Sequence, residues 1–384
     1  MKHFLVFGTH PDLSLAEAKA VLGDIQPILS GPGAICAVQD WDGAVLQNRL
    51  AGTIKLGDII FSIPVTQLTA VQLADFIDQH PRADRILFGL TVHGGSPTKR
   101  KTLKNLPIQL KRELQSRGKS VRWITGEKGE IAGAAISKMH LDTEGYDLNV
   151  FIHGDDASVG MTTHVQNIDA WSERDFGRPF RDAKTGMLPP KLARIMLNLS
   201  RPHGVLLDPF CGGGTVLMEA GMLFPELKLI GSDIDAKQVA GAMRNNEWLV
   251  AHNFLRTEDL ARTQWIVSPV QKIDSHIHES INTIVTEGYL GKPLNGHETQ
   301  LQLDQNKRDV EAVWNDSLPI LSELQPAGSR LVCIWPSMKS AHGVAHVNCL
   351  PKAEASGYVL LAEYGYARPD QNIRRNIIIL EKKG

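Results

Sequence analysis

The sequence predicts an α/β chain whose C-terminal half is built on a mostly parallel sheet, and three observations carry that expectation. From residue 204 onward, short apolar runs alternate with helical patterns, as expected of strands joined by crossover helices. The run Leu206-Leu207-Asp208-Pro209-Phe210-Cys211-Gly212-Gly213-Gly214-Thr215 passes from a strand through a glycine turn into a helix carrying Val216, Leu217, Ala220 and Leu223. One strand-helix unit later, Lys228-Leu229-Ile230-Gly231-Ser232-Asp233-Ile234-Asp235 again ends an apolar strand in an acid.

The earlier elements follow the same alternation. Residues 1–60 read as a small α/β unit. Its first strand is 3–7, and Ser14 with Glu17 three residues on reads as a capping box for a helix with Leu15, Ala18 and Leu22 on one side. Residues 35–38 are a second strand and 52–57 a turn-bounded third. Residues 61–155 form another unit: helix 69–80, strand 85–92, a basic helical stretch to Arg117, strand 120–124, and a helix or strand through 131–139. Residues 156–175 read as a linker and 176–384 as the domain with the parallel sheet. Its strands are expected to include 227–232, 264–268, 281–286 and 329–335, with 358–361 and 376–380 paired as an antiparallel edge.

Composition narrows the function. A chain of 384 residues can bury two or three cores, and 42% hydrophobic with 22% charged residues is ordinary for a soluble protein. A net charge of −1 means that any basic surface is local. Cys36, Cys211, Cys333 and Cys349 lack CxxC pairing, which argues against a zinc knuckle and a disulfide framework. His276 and His278 have no further ligand spacing, so no metal is expected. The N-terminus has only a four-residue apolar run, and no stretch approaches the ~20 residues that span a bilayer. The expectation is a cytoplasmic protein with no membrane partner.

The glycine turn is the first candidate site. A helix start offers unpaired N–H groups to an anionic or carboxylate group. A phosphate-binding P-loop needs Gly-Lys-Ser/Thr, but Thr215 follows Gly214 directly; a dinucleotide fingerprint needs a glycine where Leu217 stands. Both nucleotide readings fail. The pattern Asp208-Pro209-Phe210-Cys211-Gly212-x-Gly214-Thr215, followed by Glu219-Ala220, instead resembles motif I of S-adenosylmethionine-dependent methyltransferases that modify nucleic acids. The resemblance implies S-adenosylmethionine as cofactor, its methionine part held by Asp208, Phe210, Cys211, Gly212, Gly214 and Thr215. Asp233, with Ile234 beside it, would accept from the ribose hydroxyls, and Asp235 would cap the next helix. Ser268 stands where many relatives place an acid for the adenine amino group; Ser268 could hydrogen-bond there, or apolar contacts and backbone N–H groups could serve.

The segments 174–183 and 186–193 resemble the stretch before motif I in THUMP-containing tRNA guanosine N2-methyltransferases, and 50–57, 118–122 and 371–376 are similar to further pieces of them. That likeness implies a class I, Rossmann-like methyltransferase domain with a mostly parallel seven-stranded sheet. Before it would come a ferredoxin-like unit in 1–60 and a THUMP-like RNA-binding unit in 61–155, with tRNA as partner; a small activating protein partner stays open.

Related enzymes carry a strand-end Asp/Asn-Pro-Pro-Tyr/Phe, whose polar group accepts from the target amine while the ring stacks on the flipped base. Here Thr286-Glu287-Gly288-Tyr289 stands in that place, Glu287 as acceptor and Tyr289 as ring, the two catalytic candidates. Gly288 replaces a φ-fixing proline, so proline at 288 is expected to raise the rate if the native φ is negative. Between 99 and 122, nine basic residues (Lys99, Arg100, Lys101, Lys104, Lys111, Arg112, Arg117, Lys119 and Arg122) face one acid, Glu113. The run reads as a phosphate-contacting surface, the plainer alternative being a solvated face. The expected function is methylation of a guanosine N2 amine in tRNA. The rivals are a THUMP-type RNA-binding protein with a drifted catalytic domain and a DNA amino-methyltransferase.

Overall fold

The computed structural model describes residues 1–23, 25–126, 130–181, 187–367 and 371–384. Asp182, Ala183 and Gly186, part of the segments singled out above, lie outside the described residues. The chain divides into two compact units, Met1–Ile168 and Asp169–Gly384.

The first unit holds β1 (Lys2–Phe7), β2 (Ile28–Ser30), β3 (Gly33–Ala37), β4 (Thr53–Pro64), β5 (Arg85–Gly94), β6 (Ser120–Ile124), β7 (Tyr146–His153) and β8 (Asp156–Val165). They form one sheet in the order β2-β3-β1-β4-β8-β7-β5-β6. Two expected boundaries are corrected. The division at 60 falls inside β4, and the supposed linker 156–175 contains β8 over its first ten residues. The pairing of β4 with β8 joins the two expected units through a shared ladder, from Lys55 opposite Val165 to Pro64 opposite Asp156. The ambiguous stretch 131–139 is a helix, Gly133–Lys138.

The first helix also differs from its expected start. It runs Pro11–Leu22, with proline in the first turn where a missing N–H costs nothing. Ser14 therefore lies inside it and donates to the His10 carbonyl at 2.9 Å. Glu17 is buried and accepts from the backbone N–H groups of Ala51 (3.0 Å) and Gly52 (2.8 Å), fixing the turn that feeds β4.

The second unit holds β9 (Val205–Asp208), β10 (Lys228–Asp233), β11 (Thr263–Val267), β12 (Thr283–Val285), β13 (Arg330–Ser340), β14 (Gly343–His346), β15 (Tyr358–Tyr366) and β16 (Ile373–Lys382). The order is β11-β10-β9-β12-β13-β16-β15, with β14 paired to β13. The sheet thus has eight strands rather than seven. Pairings from β11 to β13 are parallel, whereas β16 runs antiparallel to both β13 and β15. The expected antiparallel pair ends the sheet, with β15 outermost and β16 between it and β13, which is why Ile377, Ile378, Ile379 and Leu380 are all buried. Leu207, Ile230, Ile284 and Leu331 from the central strands pack with Trp314 and Leu318 of the Gln300–Glu323 helix in the core. No helix among the described residues is long and apolar enough to cross a membrane.

Candidate active site

The chain runs outward from β9 to β10 and β11, then returns to place β12 on the other side of β9. Such a reversal leaves a crevice at the carboxyl ends of the strands, where open α/β sheets bind ligands. A cleft of about 650 Å³ lies there. It is lined by acids at the ends of three adjacent strands: Asp208 closing β9, Asp233 closing β10, and Glu287 just past β12.

The glycine turn after Asp208 is held by backbone hydrogen bonds, one to β10 and one within the turn. Cys211 N–H donates to the Ser232 carbonyl at 2.8 Å and Gly214 N–H to the Cys211 carbonyl at 2.7 Å. Gly212 has φ +49 and Gly214 φ +80, conformations that a side chain disfavours. The two glycines serve different ends. A Cβ on Gly212 would reach only Gln238 Oε1, at 3.9 Å, so its bare Cα leaves room for a ligand at the wall it lines. A Cβ on Gly214 would meet Ala242 Cβ at 2.9 Å, so this glycine packs against the next helix and is not among the lining residues.

Asp208 is fully buried, and burial pushes its carboxyl up to about 7, with the charges of Asp233 and Glu287 adding to the shift. Its Oδ1 accepts from Phe210 N–H at 3.3 Å. Asp233 accepts from Gly212 N–H (3.0 Å) and Asp235 N–H (2.9 Å), one on each oxygen, and burial raises its pKa. Each oxygen keeps a second lone pair for a hydroxyl. Asp235 caps the Ala236–Ala251 helix by accepting from Lys237 N–H at 2.8 Å. Phe210, Cys211, Thr215, Ile234 and Tyr289 also line the cleft.

Ser268 is corrected: it is buried, and its Oγ donates to the Pro269 carbonyl at 3.0 Å. The wall beyond β11 is formed instead by Pro269, Val270 and Gln271. The premise for a proline at 288 is also overturned. Gly288 has φ +73, which proline cannot adopt, and a Cβ there would meet Trp314 Cζ2 at 2.4 Å. Trp314 in turn lies 5.6 Å from the Phe210 ring. The Glu-Gly-Tyr turn is thus built around a large indole that fills the space beneath it. Glu287 is mostly buried and ion-paired, its Oε1 accepting from Arg375 Nε of β16 at 2.7 Å.

Residues before the glycine turn brace it. Glu219, on the Thr215–Leu223 helix, is buried between Arg174 (Nε–Oε1 2.8 Å) and Arg194 (Nη2–Oε2 2.6 Å). Both guanidiniums also stack over the Trp171 ring, at 4.3 and 4.5 Å. Arg178 donates to Thr215 Oγ1 at 2.6 Å. Asn245 donates to the carbonyls of Phe180 (3.0 Å) and Gly213 (2.8 Å). Nothing in the spacing of Glu219 and the 174–193 segment pairs them; only the fold does.

The basic run lies wholly in the first unit and is not a uniform charged face. Arg117 binds Asp75, Asp78 and Glu113, each at 2.8 Å, and Lys119 binds Asp78 at 3.1 Å. Lys99 pairs with Asp155 at 2.7 Å. The local count included Glu113 but missed Asp75, Asp78 and Asp155 because they come from distant segments. Arg100, Lys101, Arg112 and Arg122 are exposed, and Lys111 is half-exposed. Val121 and Trp123 pack with the Leu106–Ser116 helix in one core, so the alternation of β6 turns Arg122 to the opposite face from Lys111 and Arg112.

Comparison with known proteins bears on the second unit first. Residues 178–287, from Arg178 through Glu287, match the family described as the RMKL-like methyltransferase domain. A tRNA (guanine(10)-N2)-dimethyltransferase of Pyrococcus abyssi is 28% identical over 214 residues, 55% of this chain and 53% of that protein. A probable tRNA (guanine(10)-N2)-dimethyltransferase of Methanothermococcus thermolithotrophicus is 33% identical over 135 residues, 35% of this chain and 74% of the relative. This chain spans about half the length of the Pyrococcus protein. In architecture it is similar to TrmN from Thermus thermophilus, with 17% identity, all of both chains covered and a TM-score of 0.56.

Proposed function

The chain belongs to the family of tRNA guanine-N2 methyltransferases with an RMKL-like methyltransferase domain, and on that premise we propose that it methylates the exocyclic N2 amine of a guanosine in tRNA, using S-adenosylmethionine. The observation that carries this reading is the single cleft lined by both the glycine turn 208–215 and the Glu287-Gly288-Tyr289 turn, which lets a cofactor and a base meet. The cleft fits the cofactor: its volume suits a ligand of that size, Gly212 leaves its wall bare, and Asp233 has lone pairs for two ribose hydroxyls.

When bound, S-adenosylmethionine supplies an electrophilic methyl group. Asp233 would hold its ribose, while Gly212 and Thr215 would sit against its methionine part. Pro269, Val270 and Gln271 offer the adenine apolar contacts and backbone groups. Glu287 accepts a hydrogen bond from the target amine, which draws the nitrogen lone pair out of conjugation with the base. Tyr289, exposed at the cleft, gives the flipped base a stacking surface. Within the first unit, the ferredoxin-like and THUMP-like reading assigns RNA contact to Arg100, Lys101, Lys111, Arg112 and Arg122. Lys99, Arg117 and Lys119 have carboxylate partners that lessen their part. We place the protein in the cytoplasm with its substrate.

Labelled methyl transfer to bulk tRNA, to duplex DNA and without nucleic acid is the test, followed by nucleoside mass spectrometry. Incorporation into tRNA as N2-methylated guanosine is expected. Label in another nucleoside or in DNA would refute the substrate. No transfer to any RNA, with S-adenosylhomocysteine still bound, would favour a non-catalytic RNA-binding protein.

A further inference from the structure

Arg375 lies in the C-terminal segment that the sequence singled out without giving it a role. It reaches from β16 to Glu287, which follows β12, although β13 separates those strands in the sheet. Its side chain is 7% exposed and that of Glu287 15%, so this contact is shielded from water. A guanidinium cannot be deprotonated in a protein, and it offers donors only. We propose that Arg375 is a positioning residue that fixes Glu287 as an acceptor-only carboxylate, and that the pair thereby selects a base edge presenting two adjacent N–H donors.

This inference rests on the methyl-transfer reading and deepens it by naming what chooses the base. Arg375 takes one lone pair of Oε1, and no hydrogen bond to Oε2 is formed among the described residues. An ionised carboxylate with those lone pairs matches guanine, whose Watson–Crick edge places N1–H beside the N2 amine. Adenine and cytosine put a ring-nitrogen lone pair beside their amines, and that lone pair would face the carboxylate. Sites that demand hydrogen bonds reject analogues that leave polar groups unpaired.

The charged groups facing Glu287 are Arg375 from β16 and Asp208 from β9; Trp314, packed beneath the turn from the Gln300–Glu323 helix, brings no charge. Burial raises the Glu287 pKa and Arg375 opposes that rise. Without the guanidinium, burial acts unopposed, so Glu287 would hold its proton to higher pH and lose its acceptor character.

The test is the pH–rate profile of methyl transfer to tRNA for wild type, Arg375→Gln and Arg375→Lys, with S-adenosylhomocysteine affinity and Tm measured alongside. In Arg375→Gln the acidic limb should move up by about one unit or more, a tenfold slower rate below both limbs, with recovery at alkaline pH. Arg375→Lys should return the limb close to wild type. An unmoved limb, or an equal loss at every pH with affinity and Tm intact, would overturn the proposal. If Arg375→Gln fails to fold, Arg375→Lys decides alone: a loss of rate at all pH values with unchanged limbs overturns it. Wild type that transfers methyl groups to adenosine or cytidine but not guanosine would refute the selection. Wild type inactive on all RNA would remove the methyl-transfer reading itself.

Discussion

Replacing Gly288 by alanine should destabilise the second unit and weaken cofactor binding, the reverse of what a missing proline suggests. The residue has φ +73, and an alanine held there costs about 1–2 kcal/mol. Its methyl group would lie 2.4 Å from Trp314 Cζ2 and 3.0 Å from Cε2. Trp314 is completely buried, so the indole cannot swing into solvent, and overpacking of this kind costs about 1–3 kcal/mol. The sum is roughly 2–5 kcal/mol. At about 2–4 °C per kcal/mol for a unit of this size, Tm should fall by roughly 4–20 °C. Because Trp314 also touches the Phe210 ring at the cleft, the displacement should reach the cofactor wall. Scanning calorimetry and titration with S-adenosylhomocysteine read both effects, and Gly288→Pro should be worse on each. An alanine variant with unchanged Tm would refute the account of the turn, and a faster Gly288→Pro enzyme would restore the proline expectation.

Asp233→Ala should weaken S-adenosylhomocysteine binding about 5- to 150-fold, the equivalent of roughly 1–3 kcal/mol for lost hydrogen bonds, as read by calorimetric titration. Neutralising Arg100, Lys101, Lys111 or Arg112 should each flatten the salt dependence of tRNA affinity by up to about one unit, whereas Arg117→Gln should lower Tm and leave the slope nearly unchanged. Equal slopes in both sets would mean that the internal acids do not decide which cations meet phosphate. The Asp208 pKa stands near 7 in the fold, above the ordinary carboxylate value, so its stabilising effect is full at acid pH and lost as pH rises through about 7. Asp208→Asn should therefore flatten the fall of Tm between those limits and raise Tm at alkaline pH; an unaltered pH dependence would show that the group is ionised throughout.

Local chemistry made some parts of this molecule legible. The strand-turn-helix at 206–223 and the acid ending β10 follow from short-range pattern, and Asp208, Gly212 and Asp233 duly line one cleft. Ser120–Ile124 was read to the residue because turn residues bound an alternating run. What sequence hid was produced by distance. Glu17 looked like a cap because Ser14 stands three residues before it, yet its partners are Ala51 and Gly52. β8 was read as linker because its ladder with β4 spans about a hundred residues of sequence. The basic run looked unopposed because Asp75, Asp78 and Asp155 arrive from other segments. Gly288 looked like a loss of restraint, since only the fold brings Trp314 beneath it.

The Glu219 brace has a consequence for where this domain can be cut. The matched family region opens at Arg178, but one of the two guanidiniums on Glu219 and the indole they share lie upstream, at Arg174 and Trp171. A fragment begun at Arg178 would keep every residue of the cleft and still lose half of the charge that neutralises a buried carboxylate one turn into the motif I helix. Such a carboxylate is strongly destabilising when a partner is removed. The smallest autonomous folding piece is therefore larger than the smallest recognisable one, and its margin is drawn by an ion triad instead of by sequence similarity.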